Sequence, residues 1–98
     1  MESSDLIMQL TNLQLTILDT MADSPESIEQ IIKGLNYSNI VISQTLLLNC
    51  IKDLLNKKLI SIYYVEYDKD QKVDYVHSWY QMTAKGKKYW NNWNPEQF

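Results

Sequence analysis

The chain has 98 residues, nine lysines, no arginine and 12 acids, for a net charge of −3, with 45% hydrophobic and 11% aromatic residues. That length allows one domain with one small core, and a chain this short buries only about 60 to 65% of its unfolded surface, so a partner subunit would add stability. No apolar run approaches the ~20 residues of a membrane span, no secretory signal opens the chain, and the single cysteine, Cys50, can make neither an internal disulfide nor a zinc site alone. The expectation is a soluble, cytoplasmic protein with no membrane contact, no metal and no other cofactor.

From Ser4 to about Ala22, Leu6, Leu10, Leu13, Ile17 and Met21 recur at steps of three and four, one stripe of an amphipathic helix. Met8, Leu15 and Ala22 recur every seven residues on the opposite side, which predicts a second buried contact, with another subunit as one candidate. Ser24-Pro25-Glu26 reads as a cap, a first-turn proline and a first-turn acid, so a second helix is expected to start there and run to about Leu35. Ile40 to Ile42 reads as a short extended piece. Ser43 then caps a third helix to about Lys57, with Leu47, Cys50, Ile51 and Leu54 inward.

From Leu59 the texture becomes β-branched and aromatic. Leu59 to Tyr67 and Val73 to Met82, split by Asp68 to Lys72, read as a hairpin. If Tyr67 pairs with Val73, Ile60, Ile62, Tyr64, Val76, Ser78, Tyr80 and Met82 share one face. Tyr63, Val65, Tyr67, Val73, Tyr75, His77 and Trp79 share the other. Both faces are apolar or aromatic, so one covers the helices and the other needs the C-terminal tail, a second subunit or another protein. Thr83 caps a last short helix that carries Tyr89, Trp90 and Trp93. Charge is polarised along the chain: −6 over residues 1–32, +3 over 33–60, −2 over 61–80 and +2 over 81–98.

Two segments carry a resemblance. Leu54-Leu55-Asn56-Lys57-Lys58-Leu59-Ile60 is similar to the Leu-x-x-x-Gly-Leu-Ile end of the reader helix in bacterial winged-helix regulators, and Tyr80-Gln81-Met82-Thr83-Ala84-Lys85-Gly86 resembles the Tyr-x-Leu-Thr-x-x-Gly exit of the MarR and PadR families. The resemblance implies an α+β, mainly α, winged helix-turn-helix: a three-helix core with a β-hairpin wing and a short C-terminal helix, one domain over residues 1–98. It also implies a dimeric transcriptional regulator that binds double-stranded DNA, with no effector domain. Two departures stand out. Lys58 occupies the usual glycine position, and neither the third helix nor the wing tip has an arginine for bidentate guanine contact.

On a helical wheel the third helix shows Thr45, Asn49, Lys52, Asp53 and Asn56 on its polar side. As a DNA reader it would use Ser43, Gln44, Thr45 and Asn49 near its start, with Lys52 on a phosphate and Lys69 and Lys72 reaching DNA from the wing. The same residues also fit a solvated face, since Lys52 and Asp53 balance in charge and Asp68 and Asp70 flank the wing lysines. A protein interface would use Met8, Leu15, Tyr63, Tyr67, Tyr75, Trp79, Trp90 and Trp93. His77 and Cys50 are single, no serine elbow or glycine-rich phosphate loop is present, and Cys50 faces inward, so no catalytic residues and no enzyme are expected. Two functions remain open: a small winged-helix transcriptional regulator, or a winged-helix protein-interaction module (adaptor, anti-repressor or immunity-type inhibitor) that does not bind DNA.

Overall fold

The computed structural model describes residues 11–93, and the backbone alone of Trp93. In chain order the elements are α1 (Asn12–Thr20), β1 (Glu26–Ser27), α2 (Ile28–Tyr37), α3 (Gln44–Asn56), β2 (Ile60–Tyr64), β3 (Trp79–Met82) and α4 (Ala84–Trp93). The strands form one antiparallel sheet in the order β1-β3-β2.

The first helix differs from the expected span because a capping box intervenes. Thr11 is extended, its hydroxyl accepts from the Gln14 amide at 3.1 Å, and the Gln14 side-chain oxygen accepts from the Thr11 amide at 3.3 Å. Helix α1 thus starts at Asn12 and buries Ile17 and Leu18, with Met21 just beyond its end. The earlier part of the expected stripe, Leu6 and Leu10, and Met8 of the opposite side lie outside the described residues.

The second helix also starts later than the Ser24-Pro25 signal suggests. Glu26 and Ser27 pair with Tyr80 and Trp79 as a third strand, so the cap passes to Ser27, whose hydroxyl accepts from Gln30 N at 3.3 Å. Ladder hydrogen bonds to β3 outcompete the proline's helix preference, and Ser24 instead donates to the Glu26 carboxylate. Ile28, Ile31 and Leu35 then face the core. Ile40 to Ile42 is not a strand: Ile40 and Ile42 are half-buried against the core while Val41 is exposed.

Helix α3 follows the sequence closely. Ser43 caps it by accepting from Leu46 N at 3.1 Å, and Leu47, Ile51 and Leu54 are fully buried, with Cys50 half-buried. It closes with Lys58 at φ 63°, Lys58 N bonded to Leu55 O and Leu59 N to Leu54 O, each at 3.0 Å. This is the Schellman arrangement usually given to glycine, here imposed on a lysine.

In the hairpin, Ile60 opposes Met82 and Ile62 opposes Tyr80, but Tyr64 then opposes Trp79 through a bulge. The expected Tyr67–Val73 bridge forms nearer the tip. Between bridge and strand, residues 74–77 turn rather than extend: the Asp74 carboxylate accepts from Val76 N and His77 N, and Ser78 N bonds Asp74 O. The two-face assignment therefore fails beyond Ile62, because the bulge and turn absorb residues on opposite sides of the hairpin. Tyr80 is fully buried at the sheet centre, and its hydroxyl donates to Tyr75 O at 2.6 Å. Burial holds its phenol far above the usual value.

At the wing's exit, Thr83 accepts from Gly86 N at 3.0 Å and donates to Lys58 O at 2.8 Å, while its amide donates to Leu59 O. Gly86 lies so close to this strand that a Cβ there would stand 2.0 Å from Leu59 O. The Thr-x-x-Gly spacing thus has a physical cause: one residue caps α4 and the other lets it touch backbone. Trp90 Nε1 donates to Asp19 at 2.7 Å, tying α4 to α1. Among the described residues, no helix is long and apolar enough to cross a membrane.

Candidate nucleic-acid interface

The start of α3 is exposed as expected: Ser43, Gln44, Thr45, Asn49 and Lys52 all reach solvent, and Leu46 is 48% exposed among them. Inward anchoring by Leu47, Ile51 and Leu54 leaves that polar side no alternative orientation. The Ser43 hydroxyl oxygen is already engaged by Leu46 N, so its O–H is the group left for a ligand.

Electrostatics on this face differ from the sequence reading. Asp53 does not pair with its neighbour Lys52; its carboxylate accepts from Lys57 Nζ at 2.5 Å and from Gln14 Nε2 at 2.6 Å. Those two bonds hold the Asp53 carboxyl below the usual range, Lys57 first. Lys52 is instead placed 4.8 Å above the Tyr75 ring, a cation–π contact between reader helix and wing. A one-residue spacing on a helix points side chains about 100° apart, whereas i and i+4 share a face, which is why Lys57 wins.

At the wing tip, Asp68 Oδ1 accepts from Asp70 N at 2.8 Å and Lys72 N at 3.0 Å, and Gln71 takes φ 66°. The acid that flanks the wing lysines is thus the turn's organiser, and Lys69 and Lys72 are exposed on either side of it. Among the described residues no group of three or more metal-ligating side chains converges.

Several expected residues come together and several do not. Gln44, Val76, His77 and Trp79 line one groove of about 450 Å³ with the start of α2, so the first residue of α3 faces the wing base. Lys52 meets the wing through Tyr75, while Lys69 and Lys72 lie at the far tip. Of the interface candidates, Leu15 packs on the core and Trp90 is half-buried against α1, leaving Tyr63 (60% exposed), Tyr67 and Trp79 on the surface and Tyr75 half-buried. Met8 and the Trp93 side chain lie outside the described residues. Residue-by-residue reading passed over Gln14, Tyr64 and the Asp74–His77 pair. The Thr11-x-x-Gln14 capping pattern and the Asp74-x-x-His77 spacing were the available signals. His77 Nδ1 lies 2.7 Å from Asp74 Oδ2; this contact raises the imidazole pKa and lowers the carboxyl.

No family model matches the chain, and no curated relative does. Solved structures do. A PadR-like transcription factor from Bacteroides fragilis superposes with a TM-score of 0.70 at 19% identity, over 98% of this chain and 89% of that one. A transcriptional regulator from Clostridium thermocellum gives 0.68 at 23%, over 99% and 88%. Bacillus subtilis PadR, solved in complex with operator DNA, gives 0.68 at 15%, over 87% of this chain and 48% of that one, so the chain spans about half of that protein. The helix order, the α3 ending at Lys58 to Leu59 and the three-stranded sheet with its wing make this chain a winged helix-turn-helix, the fold of those three proteins.

Proposed function

We propose that the protein is a small winged-helix transcriptional regulator that binds double-stranded DNA as a homodimer in the cytoplasm, a binding protein rather than an enzyme. The observation that carries the reading is the exposed polar start of α3, aligned with the wing base in a fold shared with a PadR in complex with operator DNA. In this reading Gln44 and Asn49 read base edges, with adenine as their natural partner, Ser43 and Thr45 donate to phosphate, and Lys52, Lys69 and Lys72 supply the charge. Tyr67 and Tyr75 support the wing, and Leu15 and Trp90 lie toward the dimer contact.

The charge count makes the reading quantitative. Three lysines per protomer correspond to a log K against log salt slope of about −2.7, or about −5 for a dimer on two half-sites. Fluorescence anisotropy with an AT-rich duplex and with the chain's own promoter, from low to moderate salt, tests it. Lys52→Ala is expected to flatten the slope by about one per protomer, and Asn49→Ala to weaken one sequence more than others. Absence of salt-sensitive binding to either duplex refutes the reading. The second reading, a winged-helix interaction module that does not bind DNA, is favoured by a specific observation: Tyr63, Tyr64 and Tyr67 stay more than half exposed.

A further inference from the structure

We propose that Trp79 and the two depressions beside it form a docking surface for a basic segment of a partner protein, one in which Arg or Lys alternates with apolar residues. Trp79 sits in the central strand, with Ser27 as its neighbour on one side and Tyr64 on the other. Its side chain, 38% exposed, is the ridge between a groove of about 450 Å³ floored by Ile28 and Ile32 and a depression of about 270 Å³ walled by Tyr63 and Tyr64. The bulge after Ile62 is what leaves both tyrosines outward, at 60% and 55% exposure, where a regular strand would send one of them inward. A large aromatic between two concavities is the usual shape of an interface anchor.

Charge selects the occupant. Glu29 lines the groove, Asp74 holds the groove's His77 at 2.7 Å, and Glu66 is joined to Asp74 through the Asp74 N–H on its carbonyl at 2.8 Å. No lysine lines either depression. A DNA phosphate here would meet the Glu29 carboxylate, with Asp74 beside the lining His77, and a second copy packed about a two-fold axis would set like charges against each other. A cationic side chain gains on both counts, since it neutralises the acids and stacks on Tyr or Trp, as Lys52 already does on Tyr75. The apolar floor takes the intervening residues.

Of the reader residues this surface includes Gln44 and excludes Asn49 and Lys52, so loss of peptide binding on Glu29→Lys and loss of DNA binding on Lys52→Ala report on separate residues. The probe is an acetylated hexapeptide of alternating Arg and Leu, with its Glu-for-Arg counterpart as comparison, added to the full chain and followed by the Trp79 indole Nε1–H signal, assigned through Trp79→Phe. The Arg peptide is expected to shift that signal saturably and in a salt-sensitive manner, with affinity reduced about tenfold or more by Glu29→Lys. Glu29 is exposed on α2, so its reversal keeps both the fold and the Trp79 reporter. Equal binding by Glu29→Lys, equal binding of the Glu peptide, or no saturable shift overturns the proposal. An equal shift with inorganic phosphate, or a signal that moves with protein concentration alone, overturns it in favour of an anion site or of self-association.

Discussion

Gly86→Ala isolates the close approach that joins the wing to the last helix. An added Cβ would sit 2.0 Å from Leu59 O, 2.8 Å from Met82 Cγ and 3.0 Å from Leu59 C, the first about 1.4 Å inside ordinary contact. Two of the three neighbours are backbone, and Leu59 O is also the acceptor for Thr83 N, so α4 can only move away as a unit. Alanine's better helix propensity returns about 1 kcal/mol. Overpacking of this severity costs more, and a net loss of about 2–4 kcal/mol is expected. In a domain of this length that lowers the melting temperature by about 10–20 °C. Gly34→Ala supplies the matched comparison: its Cβ meets the end of the Thr20 side chain at 2.9 Å, which can yield, so its expected change is within about 1 kcal/mol of zero. Urea unfolding followed by circular dichroism measures both. A Gly86→Ala protein as stable as the parent, or no less stable than Gly34→Ala, refutes the reasoning.

Lys58→Gly relieves a left-handed lysine at φ 63° and should raise stability by about 0.5–1 kcal/mol, since the strain removed exceeds the added freedom of the unfolded chain; a lower urea midpoint contradicts it. Tyr80→Phe removes the hydroxyl that donates to Tyr75 O and leaves that carbonyl without its partner, at an expected cost of about 1–2 kcal/mol, measured by the same unfolding assay. The Asp74–His77 contact should give the imidazole an NMR titration midpoint above 6.5, and Asp74→Asn should bring it back toward 6.5. His77 contributes stability that is complete below pH 6.5 and fades as pH rises through its raised pKa, and Asp74 contributes above pH 3.8 and fades as pH falls through its lowered one. The stability difference between parent and His77→Gln should therefore peak between pH 3.8 and 6.5; a flat difference would show that the contact carries no net free energy.

The helical core was legible because periodicity reports burial directly: Ile17, Ile31, Leu35, Leu47, Ile51 and Leu54 all occupy the interior their spacing demands. Ser43 and Thr83 were legible for a similar reason, as local caps depend on residues three apart. Starts that depend on distant pairing were not. Pro25 sits at a convincing helix start, yet Glu26 and Ser27 are claimed by a strand more than fifty positions later. The hairpin's tip bridge was recoverable from turn composition, whereas an alternating pattern encodes neither the bulge after Ile62 nor the turn at residues 74–77, which side-chain capping by Asp74 holds. At the candidate site, residue types identified the exposed reader face, but a count of charges did not show that Asp53 is held by Lys57 and Gln14.

Gln14 leaves little latitude at its position. Its carboxamide is spent at both ends, the oxygen on the Thr11 amide and the nitrogen on Asp53 of α3. Glutamate, the other residue that commonly closes such a cap, would set a second negative charge against Asp53, and a hydrocarbon would forfeit both bonds. The cap at the start of α1 and the pose of α3 are thus governed by one planar group, and a tug on Thr11 is delivered to α3 without passing through the apolar interior.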